Sequence, residues 1–512
     1  MSSQLTVIIA GIVLVVAIVV ALVIMRRGDS RFTYDTQHGT APRATEGEGN
    51  TAATAFKGRF SILTTGVGAM FAALAVKLWG MQMVSSDYYE NQANSNQTRT
   101  VTTPAVRGRI LDRNGVVLSE TQDGSRVYAD DKAVRRATLH AVGDAAGNIG
   151  TGAQTAFADK LSGYNLVTGA YSLTGVGAGS NLYLTIDAAM NKAAYQALDG
   201  RRGAVGVVHH DTGEIPGLVA TPAFDPANPP PAEEIESAAS WEGAYLNRFL
   251  SATFTPGSVF KTVTLAAAID HVPTLFSREF TCDGRFEVGG QVITCPSAHG
   301  TMTIGKALTV SCNCVFGALA TEVGPDVMAQ YADKAGLTSS LSVSGIQTAK
   351  GSFTVPTGDP GNLAWAGIGQ HNDLVNPCNF MAYMGAIARG GVPATPQLVY
   401  QTTTAGGIPT SMYLKKHGAR MLDEATAAKL SDMMRDNVVD NYGEKRFPGM
   451  ELCAKSGTAE VGGGKRPNAW FAGFSRDPGH PYAFVVMVEN GGGGNAVAGE
   501  VAGQVLRAAF QE

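Results

Sequence analysis

TPGSVFKTVTLAAAID, residues 255–270, opens with Pro and Gly and continues as a run of good helix formers, so Ser258 falls at a helix start. Lys261 follows three residues later, and on a helix that spacing sets the two side chains next to each other. A neutral amine there can take the hydroxyl proton, because burial beside other cations depresses a lysine pKa. The helix N-terminus also favours negative charge developing at the serine. The pattern is short, however: a chain of this size holds on the order of one S-x-x-K by chance, and a helix cap followed by a solvated lysine has the same letters.

Two further segments extend the pattern. Ser311, Cys312 and Asn313 form S-x-N in LTVSCNCVFGALA, and in an extended or turn-like backbone the first and third side chains point to the same side. A cap for the apolar helix VFGALATEV, which begins just afterwards, is the plainer use of these residues. Lys455, Ser456, Gly457 and Thr458 lie in ELCAKSGTAEV, whose flanks suit a strand, and Gly457 would let a substrate backbone approach closely. A chance K-[ST]-G is expected only a few tenths of a time in such a chain.

The ordered set S-x-x-K, S-x-N, K-[ST]-G resembles that of the penicillin-binding proteins, and the chain is similar to the class B, monofunctional, compact type. RGRILDRNGVVLSE (107–120) looks like the family's segment just outside the membrane anchor. AGIGQHNDLVNPCNFMAYMGAIARGG (366–391) is similar to its glycine-glutamine segment and following helix, and NAWFAGF (468–474) to the strand after the third motif. The likeness runs from about Arg59 to the C-terminus.

The resemblance implies an α+β, β-lactamase/transpeptidase-like fold: a central antiparallel sheet flanked by helices, with a helical subdomain. It implies a peptidoglycan D,D-transpeptidase in which Ser258 attacks the carbonyl between two terminal D-alanines of a stem peptide, with an acyl-enzyme that β-lactams trap. Lys261 would be the base and Ser311 the proton relay. Asn313, Lys455, Ser456, Gly457 and Thr458 would bind substrate, and the backbone N–H groups of Ser258 and Thr458 would form the oxyanion hole, each donor lowering the barrier by about 3 kcal/mol. No cofactor is implied, and glycan polymerisation would fall to a membrane-embedded partner of the SEDS (shape, elongation, division and sporulation) type. The same motifs also serve a D,D-carboxypeptidase or a β-lactamase-like hydrolase, and a non-catalytic β-lactam or wall-peptide sensor is the rival from another class.

Local patterns agree with this fold. GAVGVVHHDTGEIPGLVATP (203–222) alternates and turns at Asp211-Thr212-Gly213 like a hairpin, PYAFVVMVENG (481–491) reads as a buried strand, and AVAGEVAGQVLRAAF (496–510) as a closing helix.

Composition adds the membrane. Charged residues make up 16% and hydrophobic ones 45% of the 512 residues, against roughly 25% charge in soluble domains. Residues 6–25, TVIIAGIVLVVAIVVALVIM, carry no charge and suffice to cross a hydrocarbon core of about 30 Å. Residues 60–84 form a second apolar run broken only by Lys77, beside Trp79, where an interface accepts both. MSSQL lacks the basic stretch of a signal peptide. Arg26, Arg27, Arg31, Lys57 and Arg59 put the connection between the runs in the cytoplasm and everything after residue 84 outside, at the plasma membrane. The expected organisation is an extra membrane helix and cytoplasmic loop (1–59), an anchor (60–84), a small linker or pedestal-like region (85–180) and the transpeptidase domain (181–512). The extra N-terminal span departs from the family's usual single anchor.

Net charge is −4 and no basic stripe with interleaved aromatics appears, which removes nucleic acid as a partner. The six cysteines all follow the apolar runs, in a compartment that permits disulfides. Cys282 and Cys295 bracket DGRFEVGGQVIT, a hairpin pattern that a disulfide could close. Cys312 and Cys314 have a gap of one, whereas zinc sites favour gaps of two to four, so no metal is expected. His209, His210 and His371 lack matching carboxylate spacing, and Asp187 and Glu214 have no recognisable catalytic partner.

Overall fold

The computed structural model describes residues 107–162, 179–354, 358–447 and 449–510, together with 67–68, 70–75 and the backbone of 164–165 and 170–171. Two units divide the chain, 1–89 and 90–512. In the first, residues 70–75 are helical. The apolar run 6–25 lies outside the described residues, as does most of 60–84. Among the described residues no helix is long and apolar enough to cross a membrane.

The second unit is built on a five-stranded antiparallel sheet. Its strands are β1 (Gly203–His209), β2 (Gly217–Thr221), β3 (Leu452–Ala459), β4 (Asn468–Ser475) and β5 (Tyr482–Val488), in the order β3-β4-β5-β1-β2. β1 and β2 pair Val205 with Val219 and Gly203 with Thr221, the hairpin expected from residues 203–222. Both sides of the sheet are covered, so nearly every strand residue is apolar and the two faces separate by parity. Val205, Val207, Phe471, Phe484 and Val486 pack against helices α1 (Ala188–Leu198) and α6 (Gly494–Ala509). Val208, Trp470, Ala472, Val485 and Met487 face the opposite core, with α2 (Lys261–His271), α3 (Asn313–Val323) and α4 (Pro377–Ala388). By the same alternation Lys455 of β3 shares its side with Cys453 and Ala459, the α2 side. This mixed architecture is the one the sequence led us to expect.

α2 is buried from Lys261 through Ala268 and packs on α3, on helix Pro325–Lys334 and on α5 (Glu424–Asn437). Two small strand pairs precede α3: Arg285–Val288 with Gln291–Thr294, the hairpin anticipated between Cys282 and Cys295, and Phe280–Cys282 with Gly300–Met302.

A second, six-stranded sheet joins Ile110–Leu111, Val117–Gln122 and Ser125–Tyr128 to Asn181–Leu184, Val399–Thr403 and Pro409–Met412. It therefore draws strands from both sides of the 180/181 boundary expected between pedestal and catalytic domain. Asp187 and Glu214 find their roles at its margin. Asp187 caps α1 through the Met190 N–H and accepts from Asn114 Nδ2 at 2.6 Å, and Glu214 pairs with Arg113 at 3.0 Å.

Candidate active site

Ser258 sits in a single 3-10 turn, Gly257–Phe260, that runs straight into α2. In such a turn residues i and i+3 eclipse, so Ser258 and Lys261 lie along one line, as the S-x-x-K spacing requires. Glycines let the turn press against its neighbours. Gly257 has φ +58, and a Cβ there would meet Thr458 O at 2.7 Å. A Cβ on Gly457 would meet Pro256 O at 2.8 Å and Val259 Cγ1 at 3.0 Å. The turn and β3 thus touch backbone to backbone, bringing the first and third motifs together. Gly257 N–H donates to Gly369 O at 2.8 Å, and Trp470 Nε1 donates to Thr255 O at 3.0 Å, which holds the turn from behind.

The Ser258 hydroxyl is half-buried and forms no hydrogen bond among the described residues. Lys261 has no exposed surface. Its Nζ donates to Ser311 O at 2.6 Å and to Asn313 Oδ1 at 2.7 Å, and lies 3.1 Å from Ser311 Oγ. The Asn313 amide is oriented by its own Nδ2, which donates to Thr294 O at 2.8 Å and so turns Oδ1 toward the amine. Three oxygens, Ser311 O, Ser311 Oγ and Asn313 Oδ1, thus surround the amine. Burial lowers the Lys261 pKa to about 7, and the neighbouring thiols of Cys312, Cys295 and Cys314 pull it partway back. Lys455 is equally buried. Its Nζ donates to Ser311 Oγ at 3.0 Å and to Ser456 O at 3.0 Å, and burial plus the nearby Lys261 hold its pKa well below the usual lysine value. Ser311 Oγ therefore bridges the two amines. Its backbone takes φ 54, a left-handed conformation uncommon outside glycine, so of the extended or turn-like forms expected from the sequence it adopts the turn.

The remaining residues of the third motif point the other way. Ser456 is held by Tyr442, whose hydroxyl donates to Ser456 Oγ at 2.9 Å and accepts the Ser456 N–H at 2.8 Å. Thr458 is exposed, and its Oγ1 accepts the Gly494 N–H at the start of α6 at 3.1 Å. Tyr442 closes a π-helical turn, Val438–Tyr442, after α5. No sequence signal marked it, since its role depends on where that turn ends.

One expectation needs correction. The Cys282–Cys295 disulfide is not formed: all six cysteines are free, and these two Sγ atoms are 3.7 Å apart, where a bond needs about 2.05 Å. Groups of the kind that ligate metals also gather among the described residues, where the sequence led us to expect no metal. Cys282, Cys295, His299 and Cys312 converge; Cys295 and His299 have a gap of three, within the range zinc sites favour, while the fold brings Cys282 and Cys312 to them from further along the chain.

A family model described as the penicillin binding protein transpeptidase domain matches residues 203–510, more than half of the chain, and the chain belongs to that family. It is 28% identical over 362 residues to the Mycobacterium tuberculosis protein named peptidoglycan D,D-transpeptidase PbpA, covering 65% of this chain and 73% of that one. It is 24% identical over 356 residues to the Acinetobacter baumannii peptidoglycan D,D-transpeptidase MrdA, covering 62% and 52%. The fold is similar to that of penicillin-binding protein A from M. tuberculosis, solved as a ceftriaxone acyl-enzyme complex, with a TM-score of 0.71, 25% identity and coverage of 80% of this chain and 99% of that one. These relatives accord with the class B form expected from the sequence.

Proposed function

We propose that this chain is a peptidoglycan D,D-transpeptidase acting through a Ser258 acyl-enzyme. The observation that carries the reading is the fully buried Lys261, near neutrality in its pKa, one 3-10 turn from a hydroxyl without a hydrogen-bond partner among the described residues, and bound to Ser311 and Asn313. In acylation Lys261 Nζ takes the Ser258 proton as Oγ attacks the carbonyl between the two terminal D-alanines. The backbone N–H groups of Ser258 and Thr458 receive the developing oxyanion. As the C–N bond breaks, Ser311 Oγ passes a proton to the departing D-alanine nitrogen and is reprotonated by the lysine it touches, Lys261 at 3.1 Å. An amine of a second stem peptide then attacks the ester, forms the cross-link and returns the proton to Ser258.

Asn313 holds the substrate amide, Ser456 and Thr458 bind the carboxylate, and Lys455 holds Ser311 Oγ from the other side of β3. That carboxylate role asks Ser456 to share its hydroxyl with Tyr442. A β-lactam presents the same carbonyl with a leaving nitrogen that stays tethered, so the ester persists. The reading extends to membrane spans at residues 6–25 and 60–84 with the catalytic unit outside the cell, supported by their hydropathy and by the exposed Val67, Met70, Phe71 and Leu74. A SEDS-type glycan polymerase as partner rests on the family resemblance alone.

The test is incubation of the full chain, in detergent, with fluorescent penicillin, followed by peptide mapping and a cross-linking assay on lipid-linked stem peptides. A stable adduct on Ser258 and cross-linked product that vanishes in Ser258→Ala are expected. Rapid turnover of the penicillin without an adduct means a hydrolase, and cross-linking by Ser258→Ala ends the proposal.

A further inference from the structure

The two strand pairs before α3 deliver Cys282, Cys295 and His299 to one point, where they meet Cys312, the residue that starts the helix. Cys282 Sγ and Cys295 Sγ are 3.7 Å apart, Cys295 Sγ and Cys312 Sγ 3.7 Å, and Cys282 Sγ and His299 Nδ1 3.6 Å. All four donor atoms fall within 4.8 Å of one another. Zinc bonds of about 2.3 Å to sulfur and about 2.05 Å to nitrogen, arranged as a tetrahedron, separate neighbouring sulfurs by ~3.8 Å and sulfur from nitrogen by ~3.6 Å. We propose that Cys282, Cys295, His299 and Cys312 are the four ligands of a structural zinc ion.

The surroundings suit that ion. Three thiolates and one imidazole make a closed, soft ligand set that selects zinc over magnesium or calcium. The backbone N–H groups of Asn313 and Cys314 lie 3.2 and 3.5 Å from Cys295 Sγ, the outer-shell donors that orient and stabilise a thiolate ligand. His299 N–H donates to Cys282 O at 3.0 Å, which fixes the loop carrying the imidazole. Cys282 and Cys312 are buried while Cys295 and His299 are half-buried, leaving one side open for the ion to enter. As it binds, the thiol protons leave to solvent.

The location gives the ion a positioning role. Cys312 stands between Ser311 and Asn313, the two residues that hold Lys261. Zinc would fasten the start of α3 to both strand pairs and so restrain Ser311 in its left-handed conformation. This consequence, unlike the site itself, rests on the transpeptidase reading.

The test uses the full chain purified with a thiol reductant and no chelator. Elemental analysis is expected to find about one zinc per chain, and X-ray absorption at the zinc edge three sulfurs and one nitrogen, the closed set of a structural site. In chelator competition His299→Ala and Cys295→Ser are expected to lose zinc at least tenfold more readily, and Cys453→Ser, outside the cluster, to match the parent. Should the variants fail to fold, cobalt exchanged into the parent protein is expected to give the visible bands of a tetrahedral thiolate site. Protein free of zinc, a Cys282–Cys295 disulfide, cobalt without those bands, or zinc lost equally readily from parent and folded variants would overturn the site. Zinc-loaded protein that does not acylate with penicillin would count against the transpeptidase reading and leave the metal site standing.

Discussion

Lys261 and Lys455 bring two amines to one hydroxyl, Ser311 Oγ, with no exposed surface on either lysine. Both are driven toward the neutral form because an ammonium in a buried site loses its hydration. For Lys261 the sign follows: below about 7 the amine is protonated and cannot take the Ser258 proton, and above it the lone pair is free. Cys312, Cys295 and Cys314, facing it from the hairpin and α3, favour its protonation against that burial. The rate of penicillin acylation is therefore expected to rise about tenfold per pH unit on the acid side and level off above roughly pH 7. A rate constant flat from pH 5.5 to 8.5 would remove Lys261 as the base. Lys261→Arg keeps the charge but cannot deprotonate, and should slow acylation by about 10²–10⁴. Tyr442 acts through Ser456 rather than on substrate. Tyr442→Phe leaves the Ser456 N–H and hydroxyl without their partner, at a cost of about 1–3 kcal/mol. Thermal denaturation should register that loss, and an unchanged melting temperature would show that the contact is dispensable.

At the scale of elements, the site depends on how closely the 3-10 turn approaches β3. Gly457→Ala puts a methyl 2.8 Å from Pro256 O and 3.0 Å from Val259 Cγ1, and neither backbone can move without shifting Ser258 relative to Thr458. Overpacking of this kind costs about 1–3 kcal/mol. Acylation should fall more steeply than stability, because the oxyanion donors lie on the two sides being pushed apart. Stopped-flow acylation and calorimetry on the one variant separate the two effects, and equal acylation by Gly457→Ala would deny that the contact positions the nucleophile. These elements were readable in the sequence because their signals are local. Alternation marked the 203–222 hairpin, Pro-Gly marked the start at Ser258, and the Gly-rich centre marked the hairpin between Cys282 and Cys295. The left-handed Ser311 was not readable, since a serine carries no sign of a backbone conformation imposed by its surroundings. The convergence of Cys282, Cys295, His299 and Cys312 was only partly readable: the gap of three between Cys295 and His299 is a local signal, whereas Cys282 and Cys312 reach that point through the fold, which spacing does not record.

For the molecule as a whole, the sequence revealed the sheet of the catalytic unit but not the long-range ties that close it. The six-stranded sheet, joining residues near 110 to residues near 400, has no pattern that names its partners. The same holds for Arg248 and Glu489, which are 241 positions apart and meet at 2.5 Å with the arginine almost wholly buried. Arg248 also donates to Gly243 O at 2.8 Å and to Glu242 O at 3.1 Å, so one side chain fastens the loop ahead of the nucleophile segment to the end of β5. Removing only the carboxylate strands a buried cation, and such losses run to about 3–5 kcal/mol. Two carbonyls remain to Arg248, so Glu489→Ala should fall near the lower end, about 3 kcal/mol, read from chemical denaturation. Replacing both partners with apolar groups takes the charge away together with its counter-ion. Arg248→Met with Glu489→Leu is therefore expected to be more stable than Glu489→Ala alone. A double variant less stable than the single one would mean that the pair itself, and not the stranded charge, carries the energy.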